Sequence, residues 1–157
     1  PWHQDGQYWP IRPLATCSVW LAIDDATTEN GCLRFIKGSH IDQKLKDHNT
    51  NDDKNLTLNQ ELVKDEFDET KAIDLVLKRG QISLHDVYLV HGSEANKSEK
   101  ARRAITMRYM PTTSKFDHQL VKDKKLLTKL NATKYSDRKI YHMRGIDVFG
   151  ENNLTYS

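Results

Sequence analysis

His3-Gln4-Asp5 stands at the start of the chain and His91-Gly92-Ser93 answers it much later, with Arg102 eleven residues beyond the second histidine. A histidine and a carboxylate two positions apart, joined by a distant second histidine, can occupy one face of an octahedral Fe(II). The other positions stay open for a co-substrate and O2. The arginine supplies a rigid planar fork of N–H donors, the shape that grips a carboxylate. The chemistry open to such a set is oxygen activation at iron with a 2-oxo acid as second substrate. The His-x-Asp pair alone is a weak signal, because a lone histidine is more often a solvated or core residue than a ligand.

Strands are the elements that must position these residues. Residues i and i+2 of a strand share a face, so an extended segment 3–5 aims an imidazole and a carboxylate at one metal. The third ligand must come from another strand, and His91, ending the run 88–91, is the candidate. Further short runs rich in β-formers cover residues 16–23, 32–36, 72–77, 81–84 and 104–110, where Pro111 closes the last. That makes about seven strands separated by turns, a spacing that predicts a mainly β sandwich or barrel of jelly-roll type. Glu29-Asn30-Gly31 between the runs 16–23 and 32–36 predicts that these two pair as an antiparallel hairpin. In the run 104–110, an inward Arg102 puts Ala104, Thr106 and Arg108 on the inward face. Ile105, Met107 and Tyr109 then pack against another layer. Arg103 is the rival to Arg102, and parity favours Arg102.

Two stretches break the pattern. Residues 41–71 are charged and polar and predict a surface insertion, a loose helix at most, with little burial. Residues 118–130 place Leu120, Val121, Leu126, Leu127 and Leu130 at helical spacing among lysines, which predicts a peripheral amphipathic helix. The tail 140–157 carries Tyr141, Met143, Val148 and Phe149 and is expected to order against the body, over the mouth of the site.

Bulk properties bound the reading. The 157 residues suit one domain, 1–157, with 41–71 as its insertion. With 24 Lys+Arg against 22 Asp+Glu the net charge is +2, which points away from nucleic acid as a partner. No run of about 18 apolar residues is present to span a membrane. Cys17 and Cys32 make no metal-type spacing and read as reduced small hydrophobes, consistent with an intracellular rather than a secreted protein. The chain begins at Pro1, close to the site, and is expected to lack an N-terminal part.

The segments around the motif resemble the phytanoyl-CoA dioxygenase family of Fe(II)/2-oxoglutarate oxygenases. Trp2-His3-Gln4-Asp5-Gly6 with Tyr8-Trp9-Pro10 and Arg12-Pro13 is similar to the family's opening signature. Val19-Trp20-Leu21, Glu29-Asn30-Gly31-Cys32-Leu33 and Lys37-Gly38-Ser39-His40 follow its middle, and Gly80 to Asp86, Val90-His91-Gly92-Ser93 and Arg102 its end. The order is the family's, over about residues 1–40 and 73–110. The resemblance implies a double-stranded β-helix with peripheral helices. It implies His3, Asp5 and His91 as Fe(II) ligands, with 2-oxoglutarate and O2 as co-substrates. It implies Ser93 and Arg102 on the distal carboxylate of 2-oxoglutarate, with Trp20 beside it. The family's basic residue upstream of His-x-Asp would lie before Pro1. Related halogenases replace the carboxylate by a small residue, so Asp5 favours hydroxylation.

The substrate implied is a small molecule of unspecified identity. Tyr8, near the ligands, is a candidate wall of its pocket. Arg12 and Arg108 would either bind a polar or anionic group on it or pair with an acid such as Asp24 or Asp25. His85-Asp86 reads as a turn cap rather than a ligand pair, His40 as structural, and His48, His118 and His142 as solvated. The competing function is a non-catalytic, cupin-like module that binds a metal or small ligand. The residues imply no oligomeric state.

Overall fold

The computed structural model describes residues 1–157 apart from 52, 54, 55, 57, 59, 119–137 and 157. Among the described residues lie β1 (Ile11–Arg12), β2 (Cys17–Ala22), β3 (Leu33–Ile36), β4 (His48–Thr50), β5 (Gln60–Leu62) and β6 (Ala72–Leu75). They continue with β7 (Ile82–Asp86), β8 (His91–Ser93), β9 (Ala104–Tyr109), β10 (Lys115–Phe116), β11 (Ile140–Tyr141) and β12 (Leu154–Thr155). The described helices are single 3-10 turns at Asp5–Gln7, Lys64–Glu66 and Glu69–Lys71. The amphipathic helix expected at 118–130 falls, beyond His118, outside the described residues.

Two antiparallel three-stranded sheets carry the site, ordered β7-β2-β9 and β6-β3-β8. In β2, Ser18, Trp20 and Ala22 are buried while Cys17, Val19 and Leu21 face outward, a period of two. The register extends this pattern across the sheet. Ser18 lies between His85 and Arg108, and Trp20 between Ser83 and Thr106. The inward face is therefore a ladder of rows, each contributed by three strands. In the other sheet, β3 lies between β6 and β8, with Phe35 opposite His91 and Leu33 opposite Ser93. The sheets meet through Trp20, Ala22, Ala26, Cys32 and Leu77, and through Phe35 and His85, whose rings lie 5.5 Å apart.

Several expectations are corrected. The runs 16–23 and 32–36 do not pair: β2 and β3 belong to different sheets. The Asn30 side chain instead stitches the connecting loop, accepting from Thr27 N at 2.7 Å and donating to Asp25 O at 2.8 Å. The run 88–91 is not a strand. Asp86 caps a turn through Tyr88 N at 2.8 Å, and the strand begins at His91. Segment 3–5 is extended at His3 and Gln4; His3 exchanges backbone bonds of 2.8 and 3.0 Å with His91, and at Asp5 the chain turns into a 3-10 helix. The described part of insertion 41–71 is more ordered than its charge suggests: β4 and β5 form a hairpin, and Leu62 is buried with Ile36 and Val90. Ile105, Met107 and Tyr109 are exposed among the described residues rather than packed under a further layer.

Outside the sheets, Trp9, Ile11 and Phe116 form a second core that Ile140 packs against, and β11 pairs in parallel with β12. The tail is tied to the body at Ile140, while Tyr141, Met143, Val148 and Phe149, the residues expected to hold it there, are exposed. Cys17 and Cys32 are both free.

Candidate metal centre

The bridge between residues 3 and 91 fixes two histidines on neighbouring backbone, and their rings lie 4.2 Å apart. Gly92 allows this approach, because a Cβ there would meet Pro1 O and Trp2 Cα at 3.2 Å. Each imidazole is oriented from behind: His3 Nδ1 donates to Pro1 O at 3.1 Å and His91 Nδ1 to Leu89 O at 2.9 Å. A carbonyl can only accept, so both Nδ1 atoms carry the proton and both Nε2 lone pairs point to the centre. The 3-10 turn brings in the carboxylate. Asp5 Oδ1 is 3.6 Å from His3 Nε2 and 3.9 Å from His91 Nε2. One ligand atom from each of His3, Asp5 and His91 falls within 4.8 Å of the others, the span of three ligands around one metal ion.

The electrostatics suit a cation. Burial alone would raise the Asp5 pKa, but its interactions with His3, His91 and Arg108 outweigh it and hold Asp5 well below the usual carboxylate range. Burial pushes His91 down to about 3, helped by the charge of His3. With His91 neutral near pH 7, Arg108 is a permanent charge that keeps Asp5 ionised, and neutral imidazole is the form that binds metal. Tyr8 Oη bonds Asp5 Oδ1, and Arg108 Nη2 bonds Asp5 Oδ2. Ser18 Oγ donates to Oδ2 at 3.2 Å.

Two of the residues around Asp5 were not singled out in the sequence as belonging to the site. Ser18 stands at a buried parity position of β2, and His85, read as a turn cap, sits in β7 with Nε2 3.9 Å from Asp5 Oδ2. The legible signal was a polar residue on the inward parity of an apolar strand. His48 is not simply solvated either: its Nε2 accepts from Gln4 N at 3.1 Å. Gln4, fully buried, bonds Lys44 O, Tyr88 O and Lys46 N, pinning the motif under the insertion.

The remaining named residues fall into two groups. Arg102 lies with its guanidinium 5.7 Å from the centre of the Trp20 ring, one row along from Ser18. Ser93 ends β8, two residues past His91. Arg103, the rival of Arg102, makes two 2.8 Å contacts with Asp24 instead. Arg108 joins Asp5, not Asp24 or Asp25. Arg12 turns away to the carbonyls of Ile11 and Trp9, at 2.7 and 3.3 Å.

A family model described as phytanoyl-CoA dioxygenase matches residues 1–104. The chain belongs to that family. A Caenorhabditis briggsae phytanoyl-CoA dioxygenase domain-containing protein 1 homolog is 35% identical over 113 residues, 69% of this chain and 39% of the relative. The chain thus spans about two fifths of that relative. Among solved structures, EvdO2 of Micromonospora carbonacea var. aurantiaca, complexed with 2-oxoglutarate, is 30% identical with a TM-score of 0.57 over 69% of this chain and 43% of its own. The apo form of the non-heme monooxygenase ThoJ has a TM-score of 0.65 at 23% identity, over 99% of this chain and 48% of its own, a likeness of fold. The two facing sheets are therefore the double-stranded β-helix of this superfamily.

The family implies iron and 2-oxoglutarate, and the residues present fit both. Two neutral imidazoles and one carboxylate are a donor set for Fe(II). For the co-substrate, Ser83 Oγ and His85 Nδ1 are buried beside the centre with no hydrogen-bond partner among the described residues. Such groups cost about 1–3 kcal/mol each unless a ligand satisfies them.

Proposed function

We propose that this chain carries the catalytic centre of an Fe(II)- and 2-oxoglutarate-dependent dioxygenase that hydroxylates a C–H bond of a small molecule. The observation that carries this reading is the convergence of His3, Asp5 and His91 one row away from Arg102 on Trp20. A metal-binding module has no use for a half-buried guanidinium fork beside its metal; a dicarboxylate co-substrate does. Bound iron and 2-oxoglutarate supply oxygen activation, with succinate and CO2 as co-products.

The chain's own residues orient that chemistry. His3, Asp5 and His91 hold the metal from one face. Arg102 and Ser93 take the distal carboxylate, and Trp20 walls the co-substrate. Arg108, Ser18 and Tyr8 fix the Asp5 carboxylate, whose presence favours hydroxylation. Residues 1–157 act as one domain, with 41–71 covering Gln4.

The substrate enters from the side of Asp5 opposite Trp20. There a cavity of about 340 Å³ is lined by Trp9, Thr16, Arg108, Phe116, Ile140 and Arg138, among others. Trp9 lies between the guanidinium groups of Arg108 and Arg138, at 4.8 and 4.9 Å. Apolar walls with cations at the edge suit a small molecule that has an apolar body and a polar or anionic group. Tyr8, on Asp5 and 6.0 Å from the Trp9 ring, borders the same space; Arg12 has no part in it.

Succinate formation by the chain with Fe(II), 2-oxoglutarate and O2, scored over a panel of acyl thioesters, phosphonates, cyclic solutes and amino acids, tests the reading. Stimulation by one class and loss to background in His3→Ala and Asp5→Ala are expected. Turnover that survives either substitution would show the centre to be elsewhere.

A further inference from the structure

Strand β7 turns two polar groups inward that nothing among the described residues satisfies. Ser83 is 8% and His85 7% exposed, and among the described residues Ser83 Oγ and His85 Nδ1 have no hydrogen-bond partner. Buried polar atoms are nearly always paired, and the exceptions tend to mark a site that a ligand completes. On its outer face the same strand carries Ile82 and Leu84, both exposed.

The register fixes what each group is next to. His85 lies opposite Ser18 and Ser83 opposite Trp20. The His85 ring is 4.9 Å from that of His91, at the metal end of the inward face. Ser83 is one row further along, beside the tryptophan over which Arg102 lies. The two orphan groups therefore mark a path from the ligand cluster to the guanidinium. Their spacing along one strand, about 6–7 Å between alternate residues, matches the length of a five-carbon diacid.

We propose that Ser83 and His85 are binding residues for the 2-oxo acid: His85 Nδ1–H donates to its 2-oxo acid end and Ser83 Oγ–H to the distal carboxylate that Arg102 grips. Resemblance to the family gives neither residue a role. This assignment rests on the function proposed above and adds a third strand to a co-substrate pocket otherwise made by Ser93, Trp20 and Arg102.

Anaerobic calorimetry on the Fe(II)-loaded chain, with 2-oxoglutarate and with pyruvate, tests it. Pyruvate keeps the 2-oxo acid end and lacks the distal carboxylate. Ser83→Ala is expected to weaken 2-oxoglutarate by about tenfold or more and leave pyruvate unchanged. His85→Phe, which preserves packing on Phe35 and His91, should weaken both ligands, and His85→Gln, which keeps an N–H donor, should recover part of that loss. Metal affinity of Ser83→Ala should equal that of the parent. Its metal-free melting temperature should be equal or higher, because an unpaired hydroxyl has been removed. Parent-like 2-oxoglutarate affinity in Ser83→Ala and His85→Phe, or a lowered melting temperature in Ser83→Ala with affinity intact, would overturn the proposal. If the parent chain takes up Fe(II) and no 2-oxoglutarate, the proposed function itself fails, and this assignment with it.

Discussion

Asp5 is held from both of its oxygens, and the two sides have different work. Oδ1 looks toward His3 and His91, while Oδ2 is tied to Ser18 and Arg108. Arg108 thus does for the carboxylate what Pro1 O and Leu89 O do for the imidazoles: it decides which lone pair faces the metal. Its planar fork also sits over Trp9, so orientation comes from geometry as well as charge. Arg108→Met is expected to lower metal affinity by about 10–100-fold, read by titration against a competing chelator. Arg108→Lys should recover only part of this, because an ammonium lacks the fork. Affinity unchanged in Arg108→Met would mean that Asp5 needs no such support.

At the scale of elements, the insertion is part of the site's frame. His48, at the start of β4, accepts from Gln4 N through Nε2 and donates through Nδ1 to Lys46 O at 2.7 Å. Burial, foremost, lowers its pKa below the ordinary histidine value of 6.5. The unfolded chain then binds a proton that the folded chain resists, so the stabilisation is present above pH 6.5 and is lost as pH falls below it. Protonation would also take away the lone pair that Gln4 N needs. The metal-free melting temperature should therefore fall more steeply below pH 6.5 in the parent than in His48→Gln. Equal slopes would show that His48 is not a proton-sensitive clasp.

Much of this architecture was legible as strand alternation, and the limits are physical. The runs 16–23, 32–36 and 104–110 do hold β2, β3 and β9, and motif order brought His3, Asp5 and His91 to one reading, whose side chains do converge. Pairing partners were not legible, because Asn30 side-chain bonds to Thr27 and Asp25 look in sequence like a hairpin turn. His85 was misread because Asp86 caps the following turn while His85 still belongs to the strand. Leu62 was hidden in a charged stretch where one apolar side chain suffices to dock a short hairpin.

Across the whole molecule, the inward ladder divides into zones. The row at Trp20 leads to Arg102, the row at Ser18 surrounds Asp5, and Thr16, just before β2, opens on the cavity that the tail closes. The proposed assignment gives co-substrate, metal and substrate separate rows along this sheet, which is how a jelly roll would hold a reactive centre in fixed geometry. The outer face of the same sheet is a continuous apolar surface: Leu21 lies between Ile82 and Ile105, Val19 between Leu84 and Met107. No helix among the described residues is long and apolar enough to cross a membrane.

The measurement closest to the centre of this description is an anaerobic absorption titration of the chain with Fe(II) and then 2-oxoglutarate. Chelation of the 2-oxo acid at an iron held by His3, Asp5 and His91 predicts a weak visible charge-transfer band that saturates near one equivalent and is absent from His3→Ala and Asp5→Ala. Iron uptake with no such band, or a band that persists in both variants, would contradict it.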